Sequence, residues 1–241
     1  MITSKQNSLI KEIRSLSDKK FRDRLGVFVI EGVKPVKEAM ALGLSVRNIV
    51  CTERGLNQIP PSELNVETVT EEVFSYISEE STPQGVLAVV YKPTLALQKP
   101  KGKCLFLDGV ADPANVGAII RTAVAAGYTD IYTTPDCADP YSQKAVRASM
   151  SGIFRARVYR ANREELLSII NLPIVVADMN GENVFNAKIK GDFCLVIGNE
   201  GRGVSETLKN LASVVVSIPM ENGMESLNAA VSAGILMYNL R

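Results

Sequence analysis

A single arginine lies in an otherwise apolar helical stretch near the middle of the chain. In LDGVADPANVGAIIRTAVAAG (107–127), an acidic turn precedes small and apolar residues that include Asn115 and Arg121. Either Asp112 or Asn115 could cap the helix that begins here. A guanidinium further along such a helix can bind an oxyanion or a phosphate, or it can extend over the surface into solvent. The chain has no histidine, so the side chain that most often serves as a general acid or base is absent.

Three glycines follow an apolar strand pattern later in the chain. In CLVIGNEGRGVSE (194–206), Gly198, Gly201 and Gly203 give the spacing G-x-x-G-x-G. This is neither the G-x-G-x-x-G of dinucleotide-binding folds nor the Gly-Lys-Ser/Thr loop of nucleoside-triphosphate sites. The segment is either an ordinary tight turn or a loop whose exposed N–H groups contact a nucleotide-like ligand. Glu200, inside the loop, is the carboxylate expected to face such a pocket.

A third polar segment lies at the end of the sequence, in VVVSIPMENGMESLNAAVSAGILMYNL (214–240). Pro219 should end a strand, because proline cannot donate a hydrogen bond to the ladder. Ser226 is predicted to begin the last helix, with Asn228 in its first turn. Small residues follow and make this helix thin, which favours close approach to another helix or to a ligand.

These segments are separated by the elements of an α/β chain. In the front part, hydrophobic spacing predicts helices at 5–19, 35–43 and 70–78 and strands at 26–32, 45–51 and 85–91. Residues 92–103 carry two prolines, a glycine and four lysines, which is the composition of a linker. The front part is therefore predicted to be a small α/β unit that ends at this linker.

The back part alternates more strongly. Strands are predicted at 104–109, 130–134, 155–160, 173–179, 193–198 and 213–219, with helices at 115–126, 141–149, 163–170, 204–211 and 226–240. Continuous apolar strands alternating with helices favour a parallel sheet covered on both faces. Ligands of open parallel sheets bind beyond the carboxyl ends of the strands, where all three polar segments begin.

Length and charge narrow the class of protein. The 241 residues suffice for one large domain or two modest ones, and 46% of them are apolar, so a packed core is expected. The net charge is +1, but basic residues cluster. Residues 1–37 hold nine Lys or Arg against four acids, a net +5, and residues 144–163 hold six basic residues and no acid. Both stretches fit an RNA or DNA backbone, or else a solvated helix face and a guarded strand edge.

The four cysteines, at 51, 104, 137 and 194, are widely spaced. They are predicted to be small buried apolar residues in a reducing compartment, not a disulfide framework or a zinc site. The first residues lack the apolar core of a secretory signal, and no apolar run reaches the roughly 18 residues of a membrane span. A cytoplasmic enzyme or binding protein, without metal or membrane contact, is therefore expected.

Taken together, the three segments resemble the TrmH (SpoU) family of RNA methyltransferases within the SPOUT superfamily. The resemblance rests on LDGVADPANVGAIIRTAVAAG, LVIGNEGRGVSE and IPMENGMESLNAAVSAGI, and KAVRASMSGIFRARV (144–158) is also similar. It covers nearly all of 104–241. The front part, with SKQNSLIKEIRSL and FVIEG, is similar to the small RNA-binding domain that often precedes the catalytic domain. The chain departs from the family at Asn222, where glycine is usual; here Gly223 follows.

The resemblance implies an α/β protein with two domains. Residues 104–241 would form a parallel-sheet SPOUT methyltransferase domain with a C-terminal trefoil knot, and residues 1–95 a small α/β domain that binds the RNA substrate. The enzyme would act as a homodimer and transfer a methyl group from S-adenosylmethionine to a ribose 2′-hydroxyl, with ribosomal RNA favoured as substrate.

The resemblance also carries residue roles onto this sequence. The implied catalytic residues are Asn115, Arg121, Glu200, Ser226 and Asn228. The implied cofactor-binding residues are Ala177, Gly198, Asn199, Ile218, Met220 and Leu227. The residues implied to contact RNA are Arg14, Arg22, Lys144 and Arg147.

The role of Arg121 has two versions. In one proposal for the family, the arginine acts as general base once the RNA phosphate engages it. Bringing an arginine from its ordinary pKa to near 7 costs on the order of 8 kcal/mol, however, and arginine is normally never deprotonated. In the milder version Arg121 stays cationic and stabilises the developing alkoxide, and the proton leaves to Glu200, a phosphate or water.

Other functions remain open at this point. The same motifs allow a transfer-RNA 2′-O-methyltransferase. A non-catalytic RNA-binding ribosome-assembly protein on the same fold is also possible, although such a protein should have lost Arg121 or Asn228, and both are present. A nicotinamide-dependent oxidoreductase is disfavoured by the missing G-x-G-x-x-G.

Overall fold

The computed structural model describes residues 1–240, which divide into two compact units. The first unit comprises Met1–Thr94 together with Tyr141–Arg147. The second comprises Leu95–Pro140 and the chain from Ala148 to the end of the described residues. No helix within the described residues combines the length and apolar character needed to cross a bilayer.

The first unit is a four-stranded sheet with helices around it. Its elements are α1 (Ser8–Ser15), α2 (Lys19–Leu25), β1 (Val27–Glu31), α3 (Val33–Ala41), β2 (Val46–Cys51), α4 (Glu53–Leu56), β3 (Val66–Thr68), α5 (Glu71–Ile77) and β4 (Val86–Tyr91). The strand order is β1-β4-β2-β3, with β2 and β3 parallel and the other pairs antiparallel. The prediction of a small α/β unit is therefore confirmed.

The single helix predicted at 5–19 is wrong. Asp18 adopts an extended backbone and accepts a hydrogen bond from the N–H of Lys20. An aspartate in this role starts a new helix, so the segment forms α1 and then α2. Ile10 and Ile13 of α1 pack with Val73 and Phe74 of α5 in the core of this unit.

The second unit is built on a six-stranded sheet. Its part of the chain carries β5 (Cys104–Asp108), α6 (Pro113–Ala125), β6 (Asp130–Thr133), α7 (Gln143–Ser149), a 3-10 turn (Gly152–Phe154), β7 (Arg157–Arg160), α8 (Arg163–Ile169), β8 (Ile174–Asn183), β9 (Cys194–Gly198), α9 (Glu206–Asn210), β10 (Val214–Ser217) and α10 (Ala229–Asn239). The order is β10-β8-β9-β5-β6-β7, and every neighbouring pair is parallel. The predicted parallel sheet is confirmed. Most of α7, however, clusters with the first unit.

Both faces of this sheet are covered. Cys104 and Phe106 of β5 pack in a cluster with Leu166 of α8, while Leu105 and Leu107, which alternate to the other face, are also fully buried. In the order of the sheet, β6 and then β7 follow β5 on one side, whereas β9, β8 and β10 lie on its other side. Such a reversal of strand order places a crevice at the carboxyl ends of the central strands.

The predicted linker at 92–103 is held by the second unit from Leu95 onward. Leu95 and Leu97 pack against its core. The Gln98 amide donates to the Tyr159 hydroxyl (2.6 Å), and the Tyr132 hydroxyl donates to the Gln98 carbonyl (2.8 Å). This stretch and α7 are where the two structural units differ from the predicted ranges 1–95 and 104–241. The trefoil knot stays a prediction, since strand order alone does not trace the threading of the chain.

Candidate active site

Three side chains from the three polar segments form a continuous hydrogen-bonded line. The Asn115 amide nitrogen donates to Oε1 of Glu200 (2.8 Å), and the Asn115 amide oxygen accepts from the Asn228 side chain (2.9 Å). Asn115 is 8% exposed. The line joins the start of α6, the loop after β9 and the start of α10, so the segments picked out in the sequence meet at one place.

Asp112 and Asn228 cap the helices on either side of this line. The Asp112 side chain accepts from the N–H of Ala114 and caps α6, which leaves the Asn115 amide available for its two partners. Asn228 caps α10, because its side-chain oxygen accepts from the N–H groups of Ala230 and Val231. The expectation that Ser226 begins this helix is wrong: Ser226 lies in the preceding loop, and the helix starts at Ala229.

Glu200 is fixed as an acceptor. Its carboxylate receives the main-chain N–H groups of Ala111 (3.0 Å) and Asp112 (3.2 Å) as well as the Asn115 amide. Burial alone would raise the pKa of Glu200, but these hydrogen bonds favour the charged form and lower the pKa below its usual value. The side chain is therefore ionised at neutral pH and poorly suited to accept a proton.

The loop after β9 owes its shape to Gly198 and Asn199. A Cβ on Gly198 would lie 2.3 Å from the carbonyl carbon of Gly203, so only glycine allows the chain to return this closely. Asn199 accepts from the N–H groups of Gly201 and Arg202 and donates to the Gly109 carbonyl (2.8 Å). The Asn199 side chain thus ties this loop to the end of β5.

Five of the six expected cofactor residues lie at or beyond the carboxyl ends of β9 and β10, and the sixth, Ala177, lies within the neighbouring strand β8. Val176 of β8 pairs with both Val196 of β9 and Val215 of β10. Just past that level lie Ala177 on β8, Gly198 at the end of β9 with Asn199 after it, and Ile218, Met220 and Leu227 after β10. After Val176 the pairing with β10 shifts register, so Ala177 follows the last regular rung of the sheet.

The departure from the family pattern at Asn222 is accommodated by the backbone. Asn222 and Gly223 both have positive φ, 54° and 72°, and the Met224 N–H donates to the Glu221 carbonyl (3.2 Å). Positive φ at both central residues is the mark of a type I′ turn, for which Asn-Gly is the favoured pair. Asparagine therefore supplies the left-handed conformation that glycine would give.

Arg121 and Ser226 are not part of the hydrogen-bonded line. Arg121 lies on α6, six residues beyond Asn115, and is exposed. Its guanidinium makes no hydrogen bond or ion pair with any residue between 1 and 240. Its backbone is packed against Gly152, where a Cβ would lie 2.9 Å from the Arg121 Cα. Ser226 is also exposed, in the loop before α10.

The four expected RNA contacts lie in different environments. The Arg14 guanidinium is exposed and lies 5.6 Å from the ring centroid of Tyr76. Lys144 and Arg147 belong to α7 and cluster with the first unit, and Arg147 pairs with Glu80 (2.6 Å). The expectation for Arg22 is wrong.

Arg22 is a structural residue. It is 2% exposed, and its guanidinium donates to the carbonyls of Leu16 (2.7 Å) and Ser17 (2.8 Å). These carbonyls end α1, so the buried side chain holds the corner between α1 and α2. Its place in a helix with two exposed lysines hid this role from sequence reasoning.

Much of the basic stretch at 144–163 is also used internally. Arg157 forms two hydrogen bonds with the carboxylate of Asp130. Arg160 donates to main-chain carbonyls at Pro135 and Cys137. These two side chains connect β7 to β6 and to the loop that follows β6. The stretch contains no acid, but its partners lie elsewhere in the chain, so fewer of its charges are free than the sequence indicates.

A buried carboxylate that sequence reasoning missed holds the loop after β9 in place. Asp108 ends β5 with its side chain 1% exposed and accepts from Arg163 (2.5 Å) and from the N–H of Ser205 (2.8 Å). Arg163 also pairs with Asp136 (2.9 Å). This network fastens the loop after β9 to β5 and α8. An acid at the end of an otherwise apolar strand was the available signal.

The titratable side chains do not assemble into a metal site. Within the described residues, no group of three or more Cys, Asp or Glu side chains is placed to hold an ion. All four cysteines are buried and none forms a disulfide, as expected for small core residues.

The chain is similar to known proteins at the level of families, sequences and structures. The model of the SpoU rRNA Methylase family matches residues 102–238, and that of the MRM3-like substrate binding domain matches residues 7–88. The 23S rRNA (guanosine(2553)-2′-O)-methyltransferase RlmP of Bacillus subtilis is 32% identical over 100% of this chain and 98% of its own. The 23S rRNA (uridine(2479)-2′-O)-methyltransferase of Streptomyces viridochromogenes is 30% identical over 92% of this chain and 85% of its own.

A solved structure extends the likeness to three dimensions. The AdoMet-bound rRNA methyltransferase of Sinorhizobium meliloti superposes with a TM-score of 0.88 at 30% identity, covering 99% of this chain and 95% of that one. The likeness therefore spans both units and includes a protein with the cofactor bound.

Proposed function

This chain belongs to the SpoU rRNA methylase family, and from that membership we propose that it transfers a methyl group from S-adenosylmethionine to a ribose 2′-hydroxyl of ribosomal RNA. The two curated relatives are named for a guanosine and a uridine. A site directed at the ribose, which every nucleotide shares, fits such relatives better than a site directed at one base.

The observation that carries the proposal is the line Glu200–Asn115–Asn228. The line is fixed at both ends, by the ionised carboxylate of Glu200 on one side and by the N-terminus of α10 on the other. Polar groups that are held before the substrate arrives need no reorganisation during the reaction. These side chains would orient the ribose and the loops around it.

The expected cofactor residues on β8, at the end of β9 and after β10 fit the cofactor by their chemistry. Gly198 lets the loop after β9 return closely on itself, and Ala177, Ile218, Met220 and Leu227 supply apolar surface with few charges. A pocket of apolar side chains and main-chain polar groups suits an adenosine and a methionine tail. Bound there, S-adenosylmethionine would supply an electrophilic methyl group on a sulfonium.

Arg121 would act on the oxygen that receives the methyl group. A guanidinium keeps its proton in proteins, so Arg121 would serve as a fixed cation that stabilises negative charge on the ribose oxygen and holds the adjacent phosphate. Glu200 is proposed to position Asn115 and not to act as the base, because its oxygens are occupied and its pKa is lowered. The hydroxyl proton then leaves to water or to a phosphate. Ser226, exposed beside Asn228, would complete the polar rim.

The two parts of the chain would divide the work. We propose that residues 1–95 bind the RNA substrate, in keeping with the family model matched at 7–88, and that residues 104–241 hold the cofactor and the reacting ribose. Arg14, Lys144 and Arg147 remain proposed RNA contacts on the first unit. Ribosomal RNA as substrate and four cysteines that form no disulfide favour a cytoplasmic location.

A homodimer is proposed from the apolar side chains left exposed on the second unit. Met179 is 70% exposed, Phe185 59%, Met224 61% and Val231 50%. These exposed apolar side chains, on β8, in the loops after β8 and β10 and near the start of α10, offer a surface for another protein. Light scattering should give twice the chain mass of 26.1 kDa, and a monomer at micromolar concentration would contradict the proposal.

Mass spectrometry of ribosomal RNA tests the activity in the cell. RNA from cells lacking the gene should miss one 2′-O-methyl nucleoside that wild-type cells contain, and the gene supplied in trans should restore it. Calorimetric titration of the purified protein with S-adenosylmethionine should show binding. An unchanged set of marks together with no cofactor binding would favour a non-catalytic RNA-binding protein.

A further inference from the structure

Two cations flank one exposed tyrosine on the first unit. The Lys5 ammonium lies 5.7 Å and the Arg14 guanidinium 5.6 Å from the ring centroid of Tyr76. Tyr76 belongs to α5 and is 40% exposed. The three residues come from separate parts of the sequence, which shows that the fold assembles them.

The packing of the helices forces this ring outward. Val73, Phe74 and Ile77 of α5 are buried in the core, so Tyr76 falls at the border of that buried face, with part of its ring in solvent. Arg14 follows the buried Ile13 on α1 in the same way. Because the neighbouring residues are buried in the core, the backbone positions that carry Tyr76 and Arg14 are fixed at the surface.

Stability alone does not account for the arrangement. Exposed cation–π contacts contribute little, and a tyrosine that leaves two-fifths of its surface in water adds less to the core than a buried one. Within residues 1–240, the Arg14 guanidinium makes no hydrogen bond or ion pair. Lys5 pairs with Glu72 (2.7 Å), whose side chain is 79% exposed, so that pair can exchange for another anion at small cost.

An unpaired RNA nucleotide matches the chemistry of this cluster. Proteins recognise single-stranded RNA by stacking bases on aromatic rings and guanidinium planes, while nearby cations bind the phosphates. We infer that Tyr76, Arg14 and Lys5 form a stacking site for one unpaired nucleotide of the RNA substrate, with the base on the ring and the phosphates at the cations. The inference rests on the proposed function for the identity of the RNA.

Binding of a short single-stranded oligoadenylate to the full-length protein tests the site. Fluorescence anisotropy should show Tyr76→Ala weakening the affinity by about fivefold or more, while Tyr76→Phe retains it. Arg14→Gln should lower the slope of log affinity against log salt by about one unit. Tyr91→Ala is the matched control, because Tyr91 is 48% exposed on the same unit and is not among the rings that carry a cation within the described residues.

The outcomes separate this site from the proposed activity. If Tyr76→Ala binds the oligomer as tightly as Tyr91→Ala does, the stacking site is wrong. In a methyl-transfer assay with ribosomal RNA, the site predicts a raised KM and a nearly unchanged kcat for Tyr76→Ala. Wild-type turnover with the same KM in both variants would refute the site and leave the activity intact. If Tyr76→Ala lost oligomer binding and the wild-type protein methylated no RNA, the site would be supported and the activity refuted. Equal thermal unfolding of the variants excludes misfolding as the cause.

Discussion

Replacing Glu200 by glutamine separates positioning from proton transfer. The carboxylate accepts three hydrogen bonds, from the N–H groups of Ala111 and Asp112 and from the Asn115 amide. Glutamine has nearly the same shape but offers one acceptor oxygen, and its NH2 group must face at least one of these donors. Glu200→Gln therefore removes the charge and at least one of the three hydrogen bonds at this end of the line, while leaving the loop the same size.

The expected loss follows from the contacts. A hydrogen bond to a charged group contributes about 1.5–3 kcal/mol, and the low end applies because Glu200 is partly exposed to solvent. Losing one or two such contacts amounts to about 1.5–3 kcal/mol, which corresponds to a decrease in kcat of roughly 10- to 100-fold. Asn115 would spend correspondingly less time in its aligned orientation.

Single-turnover methyl transfer from tritiated S-adenosylmethionine to unmethylated ribosomal RNA measures this loss. Since Glu200 is not assigned as the base, the pH dependence of the rate should keep its shape in Glu200→Gln. Glu206→Gln is the control, because Glu206 lies on α9 with its side chain 81% exposed. A complete loss of turnover, or disappearance of an ionisation from the pH profile, would refute the positioning role and make Glu200 the base.

Three further changes probe the surrounding structure. Gly198→Ala places a Cβ 2.3 Å from backbone atoms and should weaken S-adenosylmethionine binding by roughly tenfold or more in calorimetry; unchanged affinity would place the cofactor elsewhere. Gly152→Ala presses on the Arg121 backbone at 2.9 Å and should lower kcat about tenfold with cofactor affinity unchanged; a normal kcat would show that the contact yields freely. Burial alone would raise the pKa of Asp130, but its hydrogen bonds to Arg157 lower the pKa overall, so its contribution to stability is present above the ordinary aspartate pKa and is lost as pH falls through the lowered value. Asp130→Asn should thus cost about 2–3 kcal/mol of unfolding free energy at neutral pH and progressively less in acid, and a deficit independent of pH would contradict this.

The sequence was sufficient to predict the sheet and the meeting of the three polar segments. Apolar strands alternating with helices have few arrangements, and parallel strands bring their carboxyl ends to one edge. Asn115, Glu200 and Asn228 each follow or adjoin such an end, so their proximity followed from topology. Their roles did not: that Asp112 caps α6 and frees Asn115 depends on the backbone angle at one residue.

Other features depend on contacts between distant residues. In the sequence, Arg22 and Arg157 resemble free surface charges. In the structure, Arg22 donates to the Leu16 carbonyl just after α1, and Arg157 donates to the Asp130 carboxylate. The 141–147 segment is continuous in sequence with the second unit but clusters with the first. Such features arise from tertiary packing, so they cannot be predicted from the hydrophobic periodicity or the composition of the sequence.

The most direct test of the central claim is methyl transfer by wild-type protein and by Arg121→Ala. Wild type should place tritium from S-adenosylmethionine on a ribose, giving a dinucleotide that resists alkaline hydrolysis because its 2′-oxygen is blocked. Arg121→Ala should bind the cofactor within a few-fold of wild type and transfer no label. Label on a base in the wild-type reaction, or wild-type turnover by Arg121→Ala, would contradict the account.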